Sequence, residues 1–223
     1  MLSSPADPTT PRPRGTCIVT YLIQSIPLPA RARRGETVVG RAIDLTIAAV
    51  ALLVLAVPLL VIGLAVRLTS PGPALFAQTR IGLDGRRFAM YKFRSMRVDA
   101  EQVTGAVWAT REDPRVTPVG RFLRKTRLDE LPQLINVVLG DMALVGPRPC
   151  LEWEAELFPA EFRPRFTVRP GITGLWQVSG RSSVSTLDML QLDLSYVRTR
   201  TLSGDLAILA RTVPALLHTP GTR

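Results

Sequence analysis

A run of 22 residues without a charged side chain, LTIAAVALLVLAVPLLVIGLAV from Leu45 to Val66, constrains this chain more than any other feature. As one straight α-helix it would be roughly 33 Å long, enough to cross the hydrocarbon core of a bilayer. Pro58 lies inside the run, where it removes a backbone hydrogen bond and kinks or breaks a helix. The run predicts membrane contact and leaves two topologies open, a spanning anchor or a helix that enters, bends and returns.

Both flanks of this apolar run are basic: Arg31, Arg33, Arg34 and Arg41 precede it, and Arg67, Arg80, Arg86 and Arg87 follow it. Positively charged flanks prefer the cytoplasmic side of a membrane. A helix bent at Pro58 satisfies both flanks, whereas a spanning helix leaves one of them outside. We therefore predict a re-entrant membrane helix over residues 37–68, with an ordinary signal anchor as the alternative.

The composition limits the chemistry that the chain can perform. Its 223 residues suit one domain, and the formal net charge of +10 indicates an anionic partner. The single histidine, His218, makes a Ser-His-Asp triad or a histidine metal cage improbable. Cys17 and Cys150 are too few for a disulfide framework, and no P-loop or dinucleotide-binding glycine motif occurs. Catalysis, if present, must use carboxylates and cations, with or without a divalent metal.

Outside the apolar run the chain divides into two tails and one larger segment. Residues 1–36 are basic and rich in proline, which predicts a disordered tail, and they lack the apolar region and cleavage site of a signal peptide. Residues 69–217 are the expected catalytic domain, and residues 218–223 form a second tail. The function of residues 1–36 cannot be inferred from their sequence.

A β-hairpin is predicted directly after the apolar run. Asp84-Gly85 separates two strand-like stretches and is a strong hairpin signal. The alternation in the second strand places Lys92 and Arg94 on one face at its end. These cations are either phosphate ligands or ordinary edge-strand charges.

The remaining elements are predicted to be helices joined by loops. Thr117 and Pro118 begin a helix that runs to about Arg127. A second helix follows, closed by Gly140, with a buried stripe of Leu131, Leu134, Ile135, Val138 and Leu139. GPRPC and RPGITGLWQVSGR, which ends in Arg181, are interpreted as loops, and two amphipathic helices span about residues 186–217. Those helices either pack on the core or lie in the membrane interface. The predicted fold is mainly α with a small β-hairpin, an N-terminal re-entrant membrane helix kinked at Pro58 and amphipathic interfacial helices.

An acidic pair, Asp129 and Glu130, stands directly behind four cations: Arg121, Arg124, Lys125 and Arg127. Asp129 could simply cap the helix that follows it. The pair could instead divide the work of phosphoryl chemistry, one carboxylate attacking phosphorus and the other holding Mg²⁺. Arginines and lysines would then neutralise the transferring group, and the candidates are Lys92, Arg94, Arg124 and Arg148.

Three motifs after the hydrophobic helix resemble those of the bacterial sugar transferases that are monotopic phosphoglycosyl transferases. They are KFRSM at 92–96, LDELPQLINVVLGDMALVGPRP at 128–149 and RPGITGLWQVSGR at 169–181. The resemblance covers about residues 37–217. The large N-terminal membrane domain of some relatives is not expected here. Two positions depart from the family's usual pattern, since Val57 precedes Pro58 and Arg127 precedes the Leu-Asp-Glu triplet where relatives often carry Ser.

The resemblance implies an enzyme of the inner membrane with its catalytic domain on the cytoplasmic face. Such an enzyme moves sugar-1-phosphate from a UDP-sugar to polyprenol (undecaprenyl) phosphate, releases UMP, and initiates exopolysaccharide, O-antigen, capsule or glycan assembly. It implies Asp129 as the nucleophile that forms a covalent phosphosugar intermediate and Glu130 as the Mg²⁺ ligand. The implied phosphate ligands are Lys92, Arg94, Arg124, Arg148 and Arg181.

Two other functions also account for part of the sequence. A non-enzymatic, membrane-anchored basic scaffold that binds acidic lipids explains the charge and the helix but gives no reason for the Asp129-Glu130 pair. Nucleic-acid binding explains the net charge, yet the basic residues are dispersed and no binding motif appears, so nucleic acid is not an expected partner. The sequence does not specify the sugar, the glycan pathway or the oligomeric state.

Overall fold

The computed structural model of this protein describes residues 37–100, 113–179 and 185–218, with side chains described as far as residue 215. The predicted tail at residues 1–36, the last five residues of the C-terminal tail and Arg181 lie outside the described residues. The predictions made for them stay untested.

The apolar run forms two helices, α1 (Val38–Val54) and α2 (Ala56–Thr69), whose axes differ in direction by 63°. The break falls at Leu55, one turn before Pro58. This displacement is expected, because proline cannot donate to the carbonyl four residues earlier, here that of Val54, and its ring crowds that carbonyl. Within the described ranges, no single helix is long and apolar enough to cross a membrane, whereas this bent pair together meets that criterion.

Helix α1 is anchored to the rest of the domain by polar contacts on one face. The Arg41 guanidinium donates to the carbonyl oxygens of Val137 (2.6 Å) and Met142 (3.1 Å). One turn later, the Asp44 carboxylate accepts a hydrogen bond from the backbone N–H of Leu144 at 3.3 Å. The other faces of α1 and α2 leave large apolar side chains exposed: Val50, Leu53, Val54, Val57, Leu60, Val61, Leu64 and Leu68. A contiguous apolar surface of this kind marks an interaction with lipid or protein.

The predicted hairpin is confirmed. Strands β1 (Leu75–Ile81) and β2 (Arg87–Phe93) pair antiparallel, and the turn between them holds Asp84 and Gly85 at positive φ. Arg94 follows β2 and its backbone N–H donates to the carbonyl of Ala74.

A second sheet was not predicted. Strands β3 (Ala143–Val145) and β4 (Gly171–Thr173) run parallel; β3 directly precedes GPRPC, and β4 lies inside RPGITGLWQVSGR, which was interpreted as a loop. Three residues are too few to show the alternation that marks a strand. Gly146 and Gly171 bring the two backbones so close that a Cβ on Gly171 would lie 2.1 Å from the Gly146 nitrogen.

Helix α3 (Pro118–Thr126) begins as predicted, with the Thr117 hydroxyl accepting from Gly120 N–H at 2.9 Å. Helix α4 (Gln133–Leu139) is shorter than predicted, and its predicted buried stripe is only partly correct: Leu134 is buried, but Val138 and Leu139 are exposed. The buried face instead includes Asn136, which is 0 % exposed. Its amide donates to Ala89 O (2.7 Å) and accepts from Tyr91 N–H (2.9 Å). These bonds to β2 fix the rotation of α4.

The remaining helices complete a mainly helical domain. They are α5 (Glu152–Leu157), α6 (Leu175–Val178), α7 (Thr186–Thr199) and α8 (Leu202–His218), with a 3₁₀ segment at Ala160–Thr167. Leu190, Leu194, Tyr196 and Val197 of α7 and Ile208 of α8 are buried. Of the two alternatives for these helices, packing on the core is therefore confirmed for α7 and for one face of α8.

Candidate active site

Asp129 lies in a short 3₁₀ turn, Leu128–Glu130, between α3 and α4. Helix α4 begins three residues later, after Pro132, and no side chain caps it. No hydrogen bond joins the buried Asp129 carboxylate to any of the described residues. The interpretation of Asp129 as a helix cap is therefore wrong. A carboxylate that is buried without a capping role requires another explanation.

Glu130 contacts a cation from the hairpin. The Lys92 ammonium on β2 donates to Oε1 of Glu130 at 3.2 Å, and about a fifth of each side chain is exposed. Burial alone would raise the pKa of Glu130, but Lys92, Arg148 and Arg127 outweigh it and lower that pKa to about 2. Burial lowers the pKa of Lys92, and the nearby Arg148 acts in the same direction. Glu130 is thus held ionised over the whole physiological range.

The pKa of the neighbouring Asp129 carboxyl shifts in the opposite direction. Burial and the negative charge of Glu130 raise the pKa of Asp129 to about 6, against the opposing effects of Lys92, Arg124 and Arg127. At neutral pH this group is a carboxylate that is poorly solvated and lacks a hydrogen-bond donor. Such a carboxylate is a better nucleophile than a solvated one, because it has less stabilisation to lose when it attacks.

Arg148, in the Pro-Arg-Pro segment, lines the same cleft as Glu130. The carbonyl oxygens of residues 147–150 each accept a hydrogen bond from another part of the fold. Gly171 N–H donates to Pro147 O (2.9 Å), and Ile81 N–H donates to Cys150 O (2.9 Å). The two intervening carbonyl oxygens, those of Arg148 and Pro149, accept hydrogen bonds from buried arginine side chains. The backbone that carries Arg148 is therefore fixed, while its guanidinium lies 5.9 Å from the centre of the Trp176 ring.

Sequence reasoning missed both of those arginines. Arg80 donates to Pro149 O at 3.3 Å, and Arg165 donates to Arg148 O at 2.9 Å. Arg165 is also ion-paired with Asp193 at 2.7 Å, and only 1 % of either side chain is exposed. The signal for Arg165 was its position in FRPRF, because its guanidinium stacks near Phe158 and Phe166. Arg80 had been counted only as a flanking charge.

The predicted phosphate ligands do not all converge. Lys92 and Arg148 lie beside Glu130, and the charge of Arg124 acts on Asp129. Arg94 turns away, since its guanidinium donates to Ser70 O (2.7 Å) and Pro71 O (2.6 Å) at the end of α2. In this structure Arg94 joins the hairpin to the apolar helices.

A small cleft opens beside Glu130 and contains two glutamine amides that sequence reasoning also missed. Its walls are formed by Arg80, Met90, Lys92, Glu130, Gln133, Arg148, Pro149, Gly171, Ile172 and Gln177. Gln133 is almost fully buried, and Oε1 of Gln177 is buried without a hydrogen-bond donor among the described residues. The cleft therefore offers cations for phosphate and amides for hydroxyl or carbonyl groups.

The carboxylates of Asp129 and Glu130 are the candidate metal ligands beside the cleft. Among the described residues, no group of three or more His, Cys, Asp or Glu side chains could hold a metal ion. Mg²⁺ is commonly bound by one or two carboxylates together with the phosphates of a substrate. The adjacent carboxylates of Asp129 and Glu130 fit that type of binding.

The buried Asp129 and the partly buried Glu130 lie among arginine and lysine side chains on a helical domain with an exposed apolar helix pair. The chain belongs to the bacterial sugar transferase family, whose model matches residues 35–219.

Three relatives illustrate the match. The chain is 40 % identical over 220 residues to the galactosyl transferase CpsE of Streptococcus agalactiae, covering 94 % of this chain and 47 % of that protein. It is 45 % identical over 187 residues to the UDP-glucose:undecaprenyl-phosphate glucose-1-phosphate transferase of Caulobacter vibrioides, with coverages of 80 % and 70 %. It is 40 % identical over 197 residues to the exopolysaccharide production protein ExoY of Sinorhizobium fredii, with coverages of 82 % and 87 %. The chain spans about half the length of several curated relatives that it matches, CpsE among them.

Proposed function

We propose that this protein is a membrane-associated phosphoglycosyl transferase that moves sugar-1-phosphate from a UDP-sugar to undecaprenyl phosphate and releases UMP. The observation that carries the proposal is the pairing of a buried, unbonded Asp129 with an ionised Glu130 between Lys92 and Arg148. Family membership and the printed names of the relatives support the substrate class. A non-enzymatic scaffold would have no use for a buried carboxylate that caps nothing.

In the first step, a carboxylate oxygen of Asp129 attacks the phosphorus that bears the sugar. A new bond forms between that oxygen and phosphorus, the bond between phosphorus and the bridging oxygen breaks, and UMP leaves with the bonding electrons. The product is a phosphosugar covalently attached to Asp129. Lys92 and Arg148 neutralise the phosphate oxygens as charge develops on the leaving group.

In the second step, a phosphate oxygen of undecaprenyl phosphate attacks the same phosphorus atom. The bond to Asp129 breaks, the carboxylate is regenerated and a lipid diphosphate sugar is formed. No net proton transfer is needed in either displacement, which suits a chain whose only histidine is His218. The buried position of Asp129 protects the intermediate from hydrolysis by excluding water.

Mg²⁺ would be held by Glu130, with Asp129 close by, and would neutralise the phosphate oxygens that the cations leave unpaired. The contact between Lys92 and Oε1 leaves the second oxygen of Glu130 for this role.

The bent pair α1 and α2 would supply membrane attachment as a re-entrant structure on the cytoplasmic face of the inner membrane. The exposed apolar side chains of both helices and the basic flanks support this topology. The acceptor lipid would then meet the cleft at the membrane surface, where its phosphate group lies.

The test is an assay of the full chain in detergent or lipid with a panel of UDP-sugars, undecaprenyl phosphate and Mg²⁺. A transferase releases UMP with at least one sugar and makes a lipid-linked product. Without the acceptor lipid, the amount of UMP released should match the amount of enzyme, and phosphosugar should stay on the protein. No UMP with any UDP-sugar would contradict the proposal and favour the scaffold. UMP only in the presence of the acceptor would indicate direct transfer.

A further inference from the structure

Arg127 adopts a backbone conformation that an arginine rarely takes. Its φ is 59° and its ψ 16°, at the junction where α3 ends and the 3₁₀ turn of Asp129 begins. Among the described residues the other non-glycine residue with positive φ is Asp84, in the hairpin turn, where aspartate is well tolerated. Glycine is the residue that normally closes a helix in this conformation. Unfavourable backbone of this kind concentrates at functional sites.

Within the described part of the chain, the side chain of Arg127 has no hydrogen-bond or ion-pair partner. Its Nε is buried and bonded to nothing, and its guanidinium makes no hydrogen bond or ion pair with any of the described residues. Its charge nevertheless acts on both Asp129 and Glu130. Lys92 also acts on both carboxyls, but its ammonium is already engaged by Glu130.

The neighbouring cations differ from Arg127 in their effect on the two carboxyls. Arg124 acts mainly on Asp129, and Arg148 acts mainly on Glu130. Arg121 and Lys125, on the same helix as Arg124, are exposed and are not among the main influences on either carboxyl. Arg127 is thus a planar donor, two and three residues before the two carboxyls, whose N–H groups bind none of the described residues.

We propose that Arg127 is a further catalytic residue that binds the non-bridging oxygens of the phosphoryl group while that group is transferred to and from Asp129. A guanidinium can bind two oxygens of one phosphate at once, which an ammonium cannot do in the same geometry. A cation whose charge acts on both carboxyls suits a group that is present in both displacements. This inference rests on the proposed function.

The test uses Arg127→Gly, because glycine accepts the positive φ and removes only the side chain. Arg127→Gly should melt no lower than wild type. Its rate of UMP release in the absence of lipid acceptor should fall by at least about tenfold, as when one transition-state donor is removed. Millimolar guanidinium chloride should restore part of that rate by filling the space of the missing group. Arg127→Lys keeps the charge without the fork, so it should be intermediate and unresponsive to guanidinium.

Lys125→Ala is the matched control, since it removes one exposed cation two residues earlier. It should keep the wild-type rate with and without guanidinium. A wild-type rate for Arg127→Gly, or a loss that guanidinium leaves unchanged, would overturn the inference while leaving the transferase reaction intact. A wild-type protein that releases no UMP from any UDP-sugar would remove the proposed function itself, and this inference with it.

Discussion

The Lys92 ammonium lies 3.2 Å from Oε1 of Glu130, whereas the adjacent Asp129 carboxylate has no hydrogen-bond donor among the described residues. This asymmetry separates two neighbouring carboxyls that would otherwise titrate alike. The pKa of Glu130 is lowered to about 2 and that of Asp129 is raised to about 6. Environments that drive two pKa values apart are a common means of giving two carboxyls different catalytic roles.

Replacement of Asp129 by Asn should separate activity from stability. The amide cannot attack phosphorus, so no covalent phosphosugar and no lipid product should form. Because burial penalises the charge of Asp129 and no cap is lost, the variant should be as stable as wild type or more so, by on the order of 1 kcal/mol at pH 7. The measurements are the melting temperature in detergent and transferase activity.

Asp129→Ala is the control for that variant, because alanine also lacks the nucleophile but fills less space. It should be inactive and close to wild type in stability, since no capping bond is removed. Substantial turnover by a folded Asp129→Asn protein would contradict the catalytic assignment.

The pH dependence of UMP release should follow the titration of the Asp129 carboxyl. UMP release without lipid acceptor should decline as the pH falls below about 6, because the protonated form of Asp129 cannot attack, while Glu130 stays ionised. Initial rates between pH 5 and 8 measure this, with melting temperatures over the same range to exclude unfolding. A rate independent of pH across that range would contradict the role of Asp129.

The pH dependence of the stability change caused by Asp129→Asn is an independent test of the raised pKa of Asp129. The pKa of Asp129 is raised in the folded state, so folding favours its neutral form. The neutral form of Asp129 therefore contributes to stability fully at pH values below the pKa of this carboxyl in the unfolded chain. That contribution is lost as the pH rises through about 6, the pKa in the folded state. The stabilisation produced by Asp129→Asn should therefore be larger at pH 8 than at pH 5. Equal stabilisation at both pH values would argue against a raised pKa.

The contact between Lys92 and Glu130 should be energetically coupled. Lys92→Met should lower the free energy of unfolding by about 1.5–3 kcal/mol, because it leaves a largely buried carboxylate without its donor. Lys92→Met combined with Glu130→Gln should cost less than the sum of the two single changes. Denaturant melts of the four proteins measure this coupling, and strict additivity would contradict it. All three variants should be poor transferases, because the proposed mechanism uses Lys92 to neutralise the substrate phosphates and Glu130 to hold Mg²⁺.

The sequence predicted the parts of the fold that depend on local signals. Thr117 with Pro118 begins α3, and Asp84-Gly85 turns the hairpin, because capping and turn residues act within a few positions. The bend near Pro58 follows from one missing backbone donor. The catalytic candidates Lys92, Glu130 and Arg148 were also recognised, although only the fold brings them together.

The errors came from long-range contacts. The predicted stripe on α4 is only partly correct because Asn136 binds the backbone of β2, and no spacing rule reveals this. Arg94 was expected at the site, yet its partners Ser70 and Pro71 are more than twenty residues earlier. Arg165 was missed because its partner, Asp193, is 28 residues away in sequence.

The topology of α1 and α2 can be measured by thiol labelling. Val39→Cys and Leu68→Cys, both exposed positions, are placed singly in a chain whose Cys17 and Cys150 are replaced by Ser. In a re-entrant arrangement both thiols should be shielded from an impermeant reagent in intact cells and react after lysis. Labelling of one end alone in intact cells would indicate a spanning helix. Adding Pro58→Leu should restore the missing donor and shift the protein towards that pattern.

The Arg165–Asp193 pair should matter for activity through the carbonyl of Arg148. Arg165→Met leaves Asp193 buried and unpaired and should cost about 3–5 kcal/mol. Arg165→Met with Asp193→Leu should recover most of that stability, because an apolar pair of similar volume suits the surrounding Phe158 and Phe166. The double variant should nevertheless transfer sugar phosphate at least about tenfold more slowly, since Arg148 O has lost its donor and Arg148 is less well placed.

Arg87→Ala is the matched control for removal of an ion-paired arginine, because the pair of Arg87 with Glu152 is exposed. It should change stability by less than about 1 kcal/mol and leave activity unchanged. Melting temperatures and rates for the wild type, Arg165→Met, the double variant and Arg87→Ala complete the test. If the stable double variant works as fast as wild type, Arg165 serves only the stability of the domain, and the backbone of Arg148 is placed by the remaining hydrogen bonds to Pro147, Pro149 and Cys150.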